Sequence, residues 1–381
     1  MTWEKVKLGD CCISISDGDH QAPPKSREGI PFITIANIDQ FNKIDFTNTM
    51  HVPKDYFDSL DSKRKPHVGD IIYSVVGSFG IPVYIKNDDM FTFQRHIAIL
   101  KCKENINSRF LYYVMKSRTF YHQADSVAIG SAQKTITLSA LRDMEVHLPE
   151  RKVQNKIASI LSAYDDLIEN NRRQIKLLEE AAERLYKEWF VKFHYPGWEN
   201  HFHDGKEEGW RNGTLSDIGK FNRGKTIISA NIEPGPIPVI AGGISPSFYC
   251  NEYNVIGPVI TISASGANAG YVNLYHENIW ASDCSFLEDS ATKYLYWIYC
   301  FLKSNPNILI NLQKGSAQPH VYAKDVNQIE LLIPPERILT SFESEVAALY
   351  SQIAKFDRMI PLLLEARDRL LPKLMSGEVE V

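Results

Sequence analysis

The sequence is short of cysteine, of long apolar runs and of any excess of charge, and each shortage removes a class of function. Cys11, Cys12, Cys102, Cys250, Cys284 and Cys300 are scattered over 381 residues without CxxC spacing, so neither a zinc site nor a disulfide framework is expected. No charge-free apolar stretch reaches transmembrane length, and the opening residues lack a signal-like apolar core. A cytoplasmic location is therefore expected. Net charge is −4, and residues 1–149 carry eighteen Lys/Arg against seventeen Asp/Glu, which is no footprint of a tight, self-sufficient nucleic-acid binder. Catalytic equipment is missing as well. There is no Asn-Pro-Pro-aromatic motif of an amino-methyltransferase and no Pro-Asp dipeptide of the commonest nuclease motif, and His20, His96 and His320 stand without HExxH spacing for a metal.

What is present is a repeat. From Pro149 to Phe190 the chain runs without a further proline or glycine, placing Val153, Ile157, Ile160, Tyr164, Leu167, Ile175, Leu178, Ala182, Leu185 and Trp189 at steps of three and four, broken once near Asn171. That spacing predicts an amphipathic helix with a coiled-coil seam. At about 1.5 Å per residue it would span roughly 60 Å and needs a partner of similar length. The stretch after Pro335 supplies one, with Ile338, Phe342, Val346, Leu349, Ile353, Phe356, Ile360, Leu363, Leu370 and Leu374 at the same spacing. A shift of 185 lays Glu180, Ala181, Glu183, Arg184 and Leu185 over Glu365, Ala366, Asp368, Arg369 and Leu370. The seam is expected to be Ile157, Tyr164, Leu178 and Leu185 against Phe342, Leu349, Phe356, Leu363 and Leu370. Pro361 removes a backbone donor mid-stretch, so a kink or break is expected there.

The repeat extends beyond the helices. Trp3, Leu8 and Asp10 match Trp210, Leu215 and Asp217 at a shift of 207, as does Ile30-Pro31 with Ile237-Pro238. Gly69-Asp70-Ile71-Ile72 meets Gly257-Pro258-Val259-Ile260 at 188, and Gly130-Ser131-Ala132-Gln133 recurs as Gly315-Ser316-Ala317-Gln318 at 185. Preserved order means duplication. The fall from 207 to 188 puts the main length difference, about nineteen residues, between Ile38 and Gly69. Short β-branched and aromatic runs, punctuated by Gly, Pro, Asn and Asp, make each copy strand-rich. The expected division is 1–149 for the first module, 150–190 for the central helix, 191–209 for a connector, 210–334 for the second module, and 335–381 for the C-terminal helix and tail. The fold class is α+β: two similar strand-rich domains joined by two long antiparallel, coiled-coil-like helices in a pseudo-twofold internal repeat.

Gly219 to Thr226 satisfies the phosphate-loop pattern GxxxxGK[ST], but Pro234 and Pro236 follow where its helix should run, which argues against a P-loop NTPase. The stronger candidates are polar, small-residue loops at matching places in each copy. In the first they carry His20, Ser78, Arg95, His96, Ser131, Gln133 and Lys134. In the second they carry Arg223, Lys225, Thr226, Ser265, Asn268, Ser316, Gln318 and His320. Glycine allows close backbone approach, and these side chains supply partners for phosphates and base edges.

Two modules opening Trp-x4-Leu-x-Asp, a Gly-Ser-Ala-Gln loop ahead of each module's end, two long helices and the tail Leu371-Pro372-Lys373-Leu374-Met375-Ser376-Gly377 together resemble the specificity subunit of type I restriction-modification systems, over essentially the whole chain. The resemblance implies two target-recognition domains, each reading half of a bipartite asymmetric site in double-stranded DNA, with the helices as a ruler. It also implies a subunit without chemistry or cofactor of its own. Its helices would dock two modification subunits that use S-adenosylmethionine, and restriction subunits would add ATP-driven translocation and cleavage. A free-standing two-module DNA-binding protein is the competing class.

Overall fold

The computed structural model describes residues 3–39, 41–131, 133–200, 202–203, 206–207, 209–227, 232–315 and 318–381. The chain divides into two compact units. Unit 1 is residues 1–169 with 361–381, and unit 2 is residues 170–360.

Unit 1 is built from β1 (Glu4–Lys7), β2 (Cys12–Asp17), β3 (Ile30–Ile33), β4 (Met50–Val52), β5 (Ile71–Ser74), β6 (Pro82–Tyr84), β7 (Thr92–Phe93), β8 (Ile97–Cys102) and β9 (Glu145–Leu148). They form three sheets, ordered β1-β9, β2-β8-β5-β6 and β4-β3-β7. Helix α1 (Lys54–Ser59) follows β4. Helices α2 (Ser108–Lys116), α3 (Arg118–Val127) and α4 (Leu138–Asp143) follow β8. Helix α2 starts where Asn107 Oδ1 accepts the Phe110 amide at 3.0 Å, an N-cap that satisfies an otherwise orphaned donor. Its Phe110, Leu111, Tyr113 and Met115 are buried with Ile71, Tyr73, Ala98 and Leu100 of the sheet. The long helix α5 (Arg151–Tyr186) begins in this unit.

A short pair, β10 (Phe202–His203) and β11 (Lys206–Glu207), precedes the second copy. Unit 2 then repeats the plan with β12 (Arg211–Thr214), β13 (Asn222–Arg223), β14 (Ile237–Ile240), β15 (Phe248–Cys250), β16 (Val259–Ser263), β17 (Val272–Tyr275), β18 (Trp280–Ala281), β19 (Cys284–Glu288) and β20 (Glu330–Ile333). Its sheets are β12-β20, β13-β19-β16-β17 and β15-β14-β18, strand for strand the order of unit 1. Even the parallel pairings correspond, β3 with β7 and β14 with β18. Between β19 and β20 lie α6 (Leu295–Ser304), α7 (Pro306–Asn311) and α8 (Ala323–Asn327), and α9 (Glu336–Ser376) closes the chain.

The pairing registers locate the length difference. Ile30 opposite Val52 corresponds to Ile237 opposite Cys250, and Ile71 opposite Tyr84 to Val259 opposite Tyr275. The shift thus falls from 207 at Ile30 to 198 at Val52 and 188 at Ile71. About half of the extra chain in unit 1 is α1 with the 3-10 turn Ser62–Arg64.

In unit 1 the first part of α5 packs on the last part of α9, with Ile157, Ala158 and Leu161 buried beside Leu371 and Leu374. In unit 2 the last part of α5 packs on the first part of α9, through Ala182 and Tyr186 with Ile338, Phe342, Val346, Tyr350 and Ile353. The two helices therefore run antiparallel. Of the expected seam, Ile157 and Phe342 are fully buried, and Leu178, Leu185, Leu349 and Leu370 pack half-buried against the two cores. Tyr164, Phe356 and Leu363 are also half-buried. Val346, Ile353 and Leu374 of the predicted stripe are also fully covered, and so are Leu161, Ile168 and Tyr350 beside it, because each helix also packs against its module and not only against the other helix.

Of the kink or break expected at Pro361, the break does not occur. Helix α9 continues through Pro361 and Pro372. Pro361 is exposed, and buried anchors on either side, Ile353 and Leu371, hold the helical path against a proline penalty of about 3 kcal/mol. The division between the two units falls at this residue on α9 and at Asn170 on α5.

Candidate nucleic-acid interface

In unit 1 four loops converge on one rim of the β2-β8-β5-β6 sheet. Asp19 bridges to Gln94, its amide donating to Phe93 O at 3.1 Å while Arg95 N donates to Asp19 O at 3.1 Å. Val75 N donates to His96 O at 2.9 Å, and Gly77 N to Lys134 O at 3.0 Å. The loops bearing His20, Arg95 with His96, Ser78, and Ser131 with Gln133 and Lys134 are thus linked in series. Unit 2 repeats the arrangement. Lys225 N donates to Ala281 O at 2.9 Å, Ala264 N to Asp283 O at 3.2 Å, and Gly266 N to Pro319 O at 3.1 Å. These link the loops bearing Arg223, Lys225 and Thr226, then Ser265 and Asn268, then Gln318 and His320. Ser316 lies outside the described residues.

The glycines in these loops answer to close approach. A Cβ on Gly18 would stand 1.9 Å from Phe93 O, and one on Gly224 2.2 Å from Ser282 O. The repeated Gly-Ser-Ala-Gln loops close with the same two-bond bridge, Ile129 with Thr135 and Lys314 with His320. Gly130 and Gly315 turn them at φ of +98° and +95°, a region open to glycine at little cost.

Side-chain commitments separate the candidates. Ser78, Arg95, Ser131, Gln133, Arg223, Lys225, Thr226, Asn268 and Gln318 are exposed. His20 is exposed but its Nε2 lies 2.7 Å from Asp17 Oδ2. Lys134 is paired with Asp125 and sits 5.8 Å over the Phe79 ring. Half-buried His96 is held below the ordinary imidazole pKa, first by burial and then by the Arg95 charge. Ser265 Oγ donates to Asp283, and half-buried His320 stacks on Tyr322 with centroids 5.9 Å apart.

Corresponding places in the two rims carry opposite charge. Asp19 and Lys225 make the same amide bond to the same turn, and Gly18 and Gly224 precede them. At the shift of 188 that matches Thr92 to Trp280 and Leu100 to Glu288, Arg95 stands where unit 2 has Asp283. Unit 1 neutralises its acids with chain that unit 2 lacks. Arg64 of the 3-10 turn lies 3.5 Å from Asp19 and 3.9 Å from Asp17. Burial, with the Asp19 carboxylate nearby, drives the pKa of Tyr56 on α1 well above the usual phenol value. Asp283, Arg64 and Tyr56 were not among the candidates read from the sequence. The 188 shift could have found Asp283, whereas no motif marks the other two.

The phosphate-loop match dissolves in the fold. Asn222 and Arg223 are β13, paired to β19, and the Gly224 and Lys225 amides donate to Cys284 O and Ala281 O. Those donors are spent on the sheet and cannot cradle a phosphate.

A family model described as the type I restriction modification DNA specificity domain matches residues 1–180 and again 207–344. The chain belongs to that family. The specificity chain is 30% identical over 305 residues to the type I restriction enzyme MjaIX specificity subunit of Methanocaldococcus jannaschii, covering 73% of this chain and 71% of that protein. It is 22% identical to the HindI specificity subunit of Haemophilus influenzae over 99% of both chains. The crystal structure of the type I restriction-modification S subunit from M. genitalium shares the fold, with a TM-score of 0.66 at 19% identity over 98% of this chain and 96% of that one. Among the described residues of the specificity chain, no helix is long and apolar enough to cross a membrane.

Proposed function

We propose that this specificity subunit reads a bipartite asymmetric DNA site, one half through the rim of unit 1 and the other through the rim of unit 2, and performs no chemistry itself. The helices α5 and α9 dock two modification subunits, which bring S-adenosylmethionine, and restriction subunits supply the ATP-driven steps. One observation carries this reading: a nine-strand plan repeated in the same order presents, at corresponding loops, side chains of different and even opposite charge. A shared frame with unlike reading surfaces suits two unlike half-sites. The even charge balance fits as well, since partners can supply much of the phosphate-binding surface.

The test is to co-purify the chain with its modification partner and sequence the methylated sites. A two-part motif with a fixed spacer is expected. A single continuous motif, or tight partner-free DNA binding with no methylation, would return the reading to a free-standing DNA-binding protein.

A further inference from the structure

The turn between β18 and β19 sets a carboxylate on the rim of unit 2 near exposed cations and polar groups. Asp283 is half-buried and makes no ion pair among the described residues. Ser265 Oγ donates to its Oδ2, which leaves Oδ1 as an acceptor. The backbone beneath is pinned on three sides. The Asn254 side chain accepts from Ala281 N at 2.7 Å and donates to Ala281 O at 3.0 Å. Ser282 N donates to Ile240 O at 2.8 Å, and Trp280 Nε1 to Lys225 O at 2.9 Å. In unit 1 the same turn is held by Gln94 N on Ile33 O at 3.1 Å and presents exposed Arg95.

A carboxylate facing a polyanion is repelled by every phosphate, so its place on such a rim needs a donor to offset that cost. In the major groove only cytosine N4 and adenine N6 offer one, and adenine sets the N7 acceptor beside it, which an ionised carboxylate opposes. We infer that Asp283 reads cytosine through N4 in the half-site of unit 2, as Arg95, from the corresponding turn of unit 1, reads guanine through O6 and N7. The inference rests on the bipartite reading above and adds to it one base for each half-site, both read from one turn type.

The experiment compares the methylated motifs of the modification complex carrying the unaltered chain, Asp283→Asn and Arg95→Gln. A carboxamide both accepts and donates, matching adenine N6 and N7. Asp283→Asn is therefore expected to exchange cytosine for adenine at one position of one half-site and leave the other half-site as it was. Arg95→Gln is expected to exchange guanine for adenine in the other half-site. In competition binding, each variant should lose about 5- to 150-fold of its preference for the original base. A bipartite motif that Asp283→Asn leaves unchanged overturns the inference and spares the bipartite reading. So does a unit 2 half-site with no C·G pair. Should Asp283→Asn yield no methylation, its competition binding decides, and an unchanged preference for the original base overturns the inference. If the unaltered chain gives no two-part motif, it is the bipartite reading that has failed.

Discussion

Arg367 on α9 donates through Nη1 to Asp165 Oδ1 on α5 at 2.6 Å, so an ion pair with little exposure fixes the register of the two helices within unit 1. Asp165 also accepts from the Tyr113 hydroxyl at 2.7 Å, with Lys116 Nζ 4.0 Å away. Burial alone would raise the Asp165 pKa, but Lys116, Tyr113 and Arg367 together outweigh it and hold the carboxyl below its usual range. Removing Asp165 leaves Lys116 buried without its carboxylate and Arg367 with Asp368 as its remaining partner. Asp165→Ala is expected to cost about 3 kcal/mol in denaturant unfolding, while Asp165→Leu with Arg367→Met and Lys116→Met should cost far less. Because the folded pKa is depressed, this contribution is present above the unfolded value near 4 and is lost as pH falls through the folded one.

Glu343 should behave with the opposite sign. Its Oε1 and Oε2 accept from Tyr296 N at 2.8 Å and Trp297 N at 2.9 Å, capping α6 from α9. Burial nevertheless carries its pKa up to about 7, the two amides opposing the rise and Asp289 adding to it. The folded state therefore binds the proton more tightly than the unfolded chain, and stability falls as pH rises from about 4.3 to 7. Unfolding midpoints of Glu343→Gln, compared with the unaltered chain at pH 5 and pH 7, should lack this slope. An unchanged slope would place the titration elsewhere.

Gly18 and Gly224 test whether each rim serves its own half-site. The carbonyl oxygens facing each missing Cβ belong to backbone and cannot swing aside. Gly18→Ala should displace the Asp19 loop from the Arg95 turn and weaken reading of one half-site, and Gly224→Ala should do the same for the other. Methylated-site sequencing of the two variants should show complementary losses. Identical losses would mean that the rims do not act separately.

Much of this was legible in the sequence because duplication leaves constant offsets. The 185 shift between Gly-Ser-Ala-Gln loops reappears as the paired bridges Ile129 with Thr135 and Lys314 with His320. The span from Ile38 to Gly69 holds α1, which unit 2 lacks. The seam was less legible, since a helix that packs against both a partner and a module has two apolar directions, and spacing alone does not say which is covered. At Pro361 the helix is unbroken because tertiary anchors outweigh a local penalty. Asp283 escaped because its turn holds no glycine and no cation, the two marks by which the other loops were recognised.

Exchanging residues 210–334 for those of a related specificity subunit should change one half-site and leave the other intact. Methylated-motif sequencing reads the result directly. A change in both halves would mean that recognition is not divided between the modules.

Arg64 should matter to binding without reading any base. It lies against Asp17 and Asp19 at the rim where Arg95 and His20 also stand, and its guanidinium offsets those two carboxylates. Arg64→Ala would leave those charges facing the phosphate backbone, where repulsion acts on every sequence alike. The expected outcome is weaker binding of the assembled complex to specific and non-specific duplexes in similar proportion. The defect should shrink as salt is raised, since screening removes repulsion as well as attraction. Asp19→Asn in the Arg64→Ala background should restore most of the affinity. A base-reading arginine would behave otherwise, giving a loss confined to one base pair and untouched by neutralising Asp19. Affinity measured across a salt series for the single and double variants therefore separates a neutralising residue from a reading one.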